Sequence, residues 1–397
     1  MTAQSLNVSD LSKFFRDSAL TATARLVDMA YPIVSIPFLL ATLGVGDYAV
    51  LIAAIALVSP LQPVLNLAID DVFQKIQLED GLDKAFHYLR ILIRVRYVFL
   101  TLFTFVSMAF GKYLITLAIL SLVPEIYSSH TYFIASRQIR YYLLGKIAHK
   151  LSLLMAIIFV LPLSVSIENY FYLLILSNLG FSALLIIRIQ AHKDIAPVTL
   201  RSMLDYAPVI ANSFYLVANN FISNIRDKYP IVIVSAVSPS LAVSLDIIHK
   251  GILAINSISS AFVLTAFATM KSLIEIYQFR SILIYFTLAS LAGAVLFMSF
   301  PNASYQMGDY EIKASFASLA IVASTFYLYS IILVKTYMIP RNLYIWIVAI
   351  SVLLAAASNA LAIAFASSAT VLFLPLFVFG FEFALRSAVS AWDSARQ

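Results

Sequence analysis

Residues 31–58 read YPIVSIPFLLATLGVGDYAVLIAAIALV, and Asp47 is the single charged residue among them. The stretch contains the end of one apolar run, 17–41, and the start of the next, 47–67. Each run is long enough to cross a bilayer core of about 30 Å as a helix of roughly 20 residues. Such runs are too long for the strands of a membrane β-barrel, which need about 10 residues. This part of the sequence therefore predicts membrane-spanning helices.

The composition of the whole chain points to the same class of protein. Hydrophobic residues make up 62% of the 397 positions and charged residues 12%, with a mean hydropathy of +0.93. A soluble domain is usually about half apolar and about a quarter charged. The chain has no cysteine, which excludes a disulfide-stapled scaffold and any metal site with a Cys ligand. The net charge of +6 belongs to loops at one side of a membrane, so we expect no nucleic-acid partner.

Further apolar runs follow at similar spacing and predict an all-α integral membrane protein of about 12 transmembrane helices. The longest polar connection, 68–91, is expected to lie at the membrane surface. The predicted spans are 17–41, 47–67, 92–111, 113–135, 147–166 and 169–188, then 207–236, 241–267, 281–300, 314–334, 343–363 and 369–386.

The distribution of Lys and Arg predicts the orientation, because cytoplasmic loops carry an excess of these residues. With both termini in the cytoplasm, the outer side holds only Lys112 and Lys313. We place the chain in a bacterial cytoplasmic (inner) membrane. The cations predicted to face the cytoplasm are Lys13, Arg16, Lys75, Lys84, Arg90, Arg94, Arg96, Arg137, Arg140, Lys146, Lys150, Arg188, Lys193, Arg201, Lys271, Arg280, Lys335, Arg341, Arg386 and Arg396.

An internal repeat divides the chain into two similar parts. The tetrapeptide YPIV occurs at 31–34 and again at 229–232, and a charged cluster precedes each copy. Each copy falls in the first predicted helix of one half. The sequence therefore predicts two six-helix bundles, 1–200 and 201–397, related by a parallel pseudo-two-fold repeat about an axis along the membrane normal.

The proline of each tetrapeptide predicts a hinge, because proline lacks the N–H that a helix interior uses. These residues are Pro32 and Pro230. The segment 207–236 is long for one span, and the charges at 226–228 could instead form an external loop. That alternative would turn most of the later cations outward, so we favour a single helix.

Charged residues within the predicted spans are the candidate functional residues, since a charge at the bilayer centre costs about 2.5–3.5 kcal/mol without a partner or a water-filled cavity. Arg25 and Asp28 lie three residues apart on one face of the first helix. They are expected either to line a cavity that binds an anion or to form a structural ion pair.

The second half offers a larger group of such residues. Arg226 is the counterpart of Arg25, and Lys228 follows it closely. Asp246, His249 and Lys250 share one stripe of the eighth helix at i, i+3 and i+4. These residues either bind substrate in a central cavity or, alternatively, snorkel to water and form local ion pairs.

Glu125 is a lone carboxylate in the fourth predicted helix, with His130 five residues on. Together with Asp28 it is a possible ion-coupling residue, and the alternative is a buried acid bonded to a neighbour. The sequence contains no phosphate-binding G-x-x-x-x-G-K-[ST] motif and no H-E-x-x-H metal motif. We therefore expect no cofactor, no metal site and no catalytic residue.

The stretch 31–48, running from YPIV through Leu43-Gly44 to Tyr48, resembles the first-helix and loop pattern of Wzx-type polysaccharide flippases. The segment from Asp227 to Lys250 is similar to the start of their second half. The resemblance implies membership of the multidrug/oligosaccharidyl-lipid/polysaccharide exporter superfamily. No glycine occupies 235–245, which departs from the family pattern.

What the resemblance implies is a transporter rather than an enzyme. Such flippases move undecaprenyl-pyrophosphate-linked oligosaccharides across the inner membrane for surface polysaccharide synthesis, in contact with the bilayer and with other polysaccharide-assembly proteins. Cationic residues in the cavity would receive the anionic head group, at positions matching Arg25, Arg226 and Lys250. The alternatives are a related multidrug or cation exporter and an integral-membrane glycan polymerase or transferase.

Overall fold

The computed structural model describes residues 8–67, 81–127, 138–190, 207–270, 304–307, 310–334 and 343–395, with isolated positions between these ranges. The described part of the chain is helical apart from one short hairpin. The helices of the first half are α1 (Val8–Val58), α2 (Leu61–Asn66), α3 (Leu82–Ala109), α4 (Tyr113–Leu120), α5 (Val123–Tyr127), α6 (Ile139–Phe159) and α7 (Ile167–Gln190).

The described part of the second half adds five long helices and the hairpin. Strands β1 (Ser304–Met307) and β2 (Tyr310–Lys313) pair antiparallel, with Ser304 opposite Lys313. They lie in the connection that the sequence predicts to be external. The helices are α8 (Ala207–Ser235), α9 (Pro239–Met270), α10 (Ala314–Leu333), α11 (Tyr344–Phe365) and α12 (Leu374–Ala395).

Several of these helices suit a bilayer by length and composition. Among the described residues, six are long and apolar enough to cross a membrane. The chain is therefore a multi-pass helical membrane protein, as the sequence predicts. The six segments are Ala30–Val58, Asp83–Ala109, Arg140–Leu163, Ile167–Ile189, Tyr344–Phe365 and Ala369–Ala395.

Helix α1 joins the first two predicted spans, and one glycine divides it. Gly44 has φ 75° and ψ 170°, outside the helical region. A residue with a Cβ is strained at such a positive φ, which explains the glycine. Pro32 and Pro37 lie inside the first arm of α1, where no residue leaves helical φ/ψ. The interruption of helical φ/ψ therefore lies at Gly44, and the hinge at Pro32 stays a prediction.

The predicted surface connection 68–91 is wrong in its second part, because α3 already begins at Leu82. Gly81 precedes that helix with φ 93°, a conformation that glycine adopts readily. The predicted span 113–135 is interrupted by a turn at 121–122 between α4 and α5, and most of its last part, 128–135, lies outside the described residues. Most of the span predicted at 281–300 lies outside the described residues.

The segment at 207–236 forms one continuous helix, α8, which confirms the single-helix prediction. Pro230 lies within it. The chain then turns at 236–238 and continues as α9. The alternative, an external loop at 226–228, is excluded.

The two helices that contain the YPIV segments, α1 and α8, pack against each other. Helix α1 packs against α6 in its own half and against α8 and α9 of the other half. Helix α8 also packs along α11, and α10 packs between α9 and α12. One buried apolar cluster crosses between the halves, since it contains both Leu51 of α1 and Val234 of α8. This packing brings Asp246 and Lys250 of α9 into contact with Tyr48 of α1.

Candidate functional site

Arg226 of α8 is the centre of a buried ionic cluster. Its side chain is 1% exposed, and its Nε donates to Asp227 Oδ1 at 2.6 Å. Its Nη1 lies 2.8 Å from Glu382 Oε2 of α12, close enough for an ion pair but not aligned as a hydrogen bond. Glu382 Oε1 is in turn 2.6 Å from Nη2 of Arg386, one helical turn further along. Glu382 therefore bridges two arginines between α8 and α12.

Neutral groups complete the surroundings of Arg226. The Phe379 ring centroid lies 5.2 Å from the guanidinium carbon, within cation–π range. Ser358 of α11 donates its hydroxyl to the Arg226 carbonyl at 3.0 Å. Arg226, His249 and Ser358 also line a cavity of about 20 Å³, which has room for about one water molecule. The site as described is thus tightly packed.

Tyr48 of α1 connects this region to the first half of the chain. Its hydroxyl donates to Asp246 Oδ2 at 3.1 Å and accepts from Lys250 Nζ at 3.0 Å. Asp246 and Lys250 form an ion pair of 2.6 Å along α9. The local pair that the sequence offered as an alternative is therefore present, and the phenol of Tyr48 binds both of its members. We call this group of three side chains the Tyr48 contact.

His249 and Lys228 lie beside these pairs. His249 is 3% exposed, and its Nε2 has no hydrogen-bond partner among the described residues. Lys228 forms no hydrogen bond or ion pair within the described part of the chain, although it lies close enough to Asp227 and Asp246 for their charges to act on it. An ammonium in an apolar surrounding requires an anion or water.

The formal charges of the ionic side chains around Arg226, Lys228 and the Tyr48 contact do not cancel. The four cations exceed the three carboxylates by one, with His249 counted as neutral. We call the seven charged residues, of which four are buried and three half-buried, the buried charge cluster. Its members are Arg226, Lys228, Lys250, Arg386, Asp227, Asp246 and Glu382.

The cluster lies at one depth in the helix bundle. Arg226 is nine residues before the end of α8 at Ser235, about 13 Å at 1.5 Å per residue. Lys250 is eleven residues after the start of α9, about 16 Å, and Glu382 is eight residues after the start of α12, about 12 Å. These ends all lie on the side predicted to be external. The charges therefore lie at similar distances, about 12–16 Å, from these helix ends.

The sequence did not predict two members of the cluster, Arg386 and Glu382. Arg386 was predicted at the cytoplasmic surface, which is wrong, because α12 continues to Ala395 and Arg386 is 5% exposed. Glu382 was not singled out. The signal was the i, i+4 spacing of Glu382 and Arg386 on one helix face. Arg341, by contrast, forms an exposed ion pair with Asp393 at 2.9 Å.

Arg96 is the second correction to the predicted surface cations. It lies within α3 and is 0% exposed. Its Nη1 donates to the carbonyls of Glu125 and Ile126 at 2.9 and 3.0 Å, and its Nη2 donates to the carbonyl of Asn66. Arg96 therefore fixes α2 and α5 against α3, in the first half of the chain.

The remaining candidates lie apart from the cluster. Glu125 is not a lone carboxylate, because its Oε1 accepts from Gln62 Nε2 at 2.9 Å. His130 lies outside the described residues. Arg25 and Asp28 lie on α1, but their side chains also fall outside the described part of the chain. Their predicted anion-binding and ion-coupling roles stay predictions.

Across the described residues, no three His, Asp or Glu side chains are grouped so that they could hold a metal ion. Comparison of the chain with protein-family models, with curated proteins and with solved structures finds no match. A functional assignment therefore depends on the buried charge cluster itself.

Proposed function

We propose that the chain is an alternating-access flippase that moves a lipid-linked oligosaccharide, with an undecaprenyl-pyrophosphate anchor, across the bacterial cytoplasmic membrane. In this proposal 12 helices form two six-helix halves, 1–200 and 201–397, as parallel repeats. Surface polysaccharide synthesis would use the translocated product. The observation that carries the proposal is a group of charged side chains packed between helices, with one cation in excess among the described residues.

The excess positive charge favours an anionic substrate. A pyrophosphate cannot cross hydrocarbon alone, because its charges need water or ionic partners. Lys228 has no ionic partner within the described residues, and Arg226 and Arg386 share one bridging carboxylate, Glu382. An arriving phosphate would give these cations an acceptor, and the planar guanidinium binds phosphate oxygens in pairs.

The same arrangement argues against a cation exporter. Each of the three carboxylates already lies 2.6–2.8 Å from a cation: Asp227 from Arg226, Asp246 from Lys250, and Glu382 from both arginines. A positively charged drug would have to displace one of these partners. An anion, in contrast, adds a partner to a group that carries excess positive charge.

The Tyr48 contact supports alternating access between the halves. It joins α1 of the first half to α9 of the second through one phenol, over 198 residues of sequence. The contact consists of three side chains and no backbone pairing. Separation of α1 from α9 would open a path to the cluster, and closure would restore the two bonds of Tyr48. Rigid-body movement of two repeats is the usual behaviour of such transporters.

Proteoliposomes that contain a fluorescent pyrophosphate-linked oligosaccharide test the proposal. Translocation is measured as the fraction of label that becomes accessible to an impermeant quencher. We expect Lys228→Gln and Arg226→Gln each to slow translocation at least about tenfold, the rate equivalent of 1.4 kcal/mol. Arg341→Gln removes an exposed cation and is the matched control, for which we expect an unchanged rate.

Equal rates for all three variants and the parent protein would disprove the charge-receiving role. A sugar-transfer assay on the purified protein separates this proposal from the polymerase or transferase alternative. Transfer of sugar between lipid-linked substrates, without translocation, would replace the flippase proposal with an enzymatic one.

A further inference from the structure

A groove of about 280 Å³ opens between α6 and α7, far along the chain from the buried charge cluster. Its rim exposes large hydrophobic side chains, including Leu144 at 55% and Leu184 at 49%. Both helices belong to apolar segments long enough to span the membrane. The rim therefore faces the lipid, and the groove is open to an acyl chain.

Small residues of α6 create this groove. Gly145 lines it, and a Cβ on Gly145 would lie 3.4 Å from the Phe181 ring. The floor is held in place by ring contacts, because Phe181 stacks on His149 with centroids 5.0 Å apart. His149 Nε2 is in turn hydrogen-bonded to Asn178 Oδ1 at 2.8 Å. The groove is thus preformed, which lowers the cost of binding a ligand there.

One end of the groove is positively charged. Arg188 lines it in the last turn of α7, and its guanidinium carbon lies 4.0 Å from the ring centroid of Tyr141 in the first turn of α6. Lys146 lies on the same part of α6, with Nζ 6.0 Å from the Tyr142 ring centroid. Stacking engages the flat face of a guanidinium, whereas phosphate oxygens bind its N–H edge, so both contacts are compatible at Arg188.

We propose that this groove binds an anionic phospholipid, with one acyl chain against Phe181 and the headgroup phosphate at Arg188. The charged end of the groove is the end where α6 begins and α7 ends, on the side predicted to be cytoplasmic. Anionic lipids concentrate in that leaflet and are attracted by basic side chains near its surface. This site lies outside the proposed transport path and does not depend on the transported substrate.

Tryptophan quenching by brominated lipids tests the proposal in the full-length protein. Trp346→Phe and Trp392→Phe remove the two native tryptophans, and Leu144→Trp places a probe at the groove. Leu176→Trp places the matched control on the exposed face of α7, away from the groove. The variants are reconstituted in mixed phosphatidylglycerol and phosphatidylcholine vesicles, with one lipid brominated on its acyl chains at a time.

At position 144 we expect brominated phosphatidylglycerol to quench about fivefold more effectively than brominated phosphatidylcholine, which is the preference that one basic side chain near the surface supplies. At position 176 we expect no preference. Arg188→Gln is expected to abolish the preference at 144 and Arg188→Lys to retain it. Gly145→Leu fills the groove and is expected to weaken quenching by both lipids.

Equal quenching by both lipids at the two positions would overturn the proposal, and so would a preference that survives Arg188→Gln. Displacement of phosphatidylglycerol by an equimolar polyprenyl phosphate would assign the groove to the transported lipid instead. None of these measurements depends on translocation, so their failure is distinguishable from failure of the flippase proposal.

Discussion

Two buried arginines, Arg96 in the first half and Arg226 in the second, are stabilised by different kinds of partner. Both side chains are at most 1% exposed. Arg96 donates to the backbone carbonyls of Glu125, Ile126 and Asn66. Arg226 contacts the carboxylates of Asp227 and Glu382.

The difference separates a structural arginine from a candidate functional one. Backbone carbonyls are fixed by the helices that carry them, so Arg96 holds its partners in one arrangement. Carboxylate side chains rotate and accept other partners, and Glu382 already divides its oxygens between Arg226 and Arg386. An arriving anion can therefore change the partners of Arg226 without breaking a helix.

The largest effect is expected from Arg96→Met. The substitution leaves several buried carbonyl oxygens unsatisfied, each costing about 1–3 kcal/mol, so we expect the free energy of unfolding to fall by about 3–6 kcal/mol. Chemical unfolding in detergent micelles measures this loss. Arg94→Met, two residues away at an exposed position, is the matched control. Equal stability of the two variants would show that Arg96 does not hold α2 and α5.

Glu382→Gln is expected to cost about 3 kcal/mol, because it leaves two buried arginines without their shared carboxylate. The double variant Glu382→Gln/Arg386→Gln removes one excess cation and should recover part of that loss. A double-mutant cycle on unfolding free energies measures the coupling. Strictly additive losses would show that Glu382 does not bridge the arginines.

Tyr48→Phe should cost about 2 kcal/mol, the usual value of hydrogen bonds to charged groups. The loss belongs to the interface between the halves, since the phenol contacts Asp246 and Lys250 of α9. A cycle with Asp246→Asn should give non-additive losses. Tyr97→Phe on α3, which is not among the helices that pack against α9, is the control, and the cycle with it should be additive.

The smallest effect is expected at the surface pair of Arg341 and Asp393. Exposed ion pairs contribute about 0.2–1 kcal/mol and are screened by salt. Asp393→Asn should therefore lower the free energy of unfolding by less than about 1 kcal/mol at low salt. The difference should vanish when unfolding is repeated at about 1 M salt, where the Debye length is near 3 Å. A larger loss that persists in salt would place this pair in a buried setting.

The sequence predicted that the chain is a membrane protein and predicted most of its long helices, because long apolar runs are typical of helices buried in lipid. It failed at Arg96 and Arg386, which lie well inside their helices but were assigned to the cytoplasmic surface. Hydropathy assigns such residues to loops, and only the three-dimensional partners show that they are buried. The stripe of Asp246, His249 and Lys250 was visible from spacing alone.

The contact between Tyr48 and the charged residues of α9 could not be predicted from the sequence. Tyr48 follows the YPIV segment, yet an apolar stretch does not indicate which tyrosine faces a charge on another helix. Its partners lie 198 and 202 residues away. Pairings of that separation are set by how helices pack and not by any local pattern.

Gly44 allows α1 to bend at one point, which an uninterrupted helix of the same length would not do. The single left-handed residue separates an arm ending at Leu43 from an arm that carries Tyr48. Rotation about φ and ψ of Gly44 would therefore change the direction of the second part of α1 while the first part stays in place. In the proposed flippase, separation of the halves would require the Tyr48 contact to break, and the torsion angles of Gly44 would set the angle between the two parts of α1.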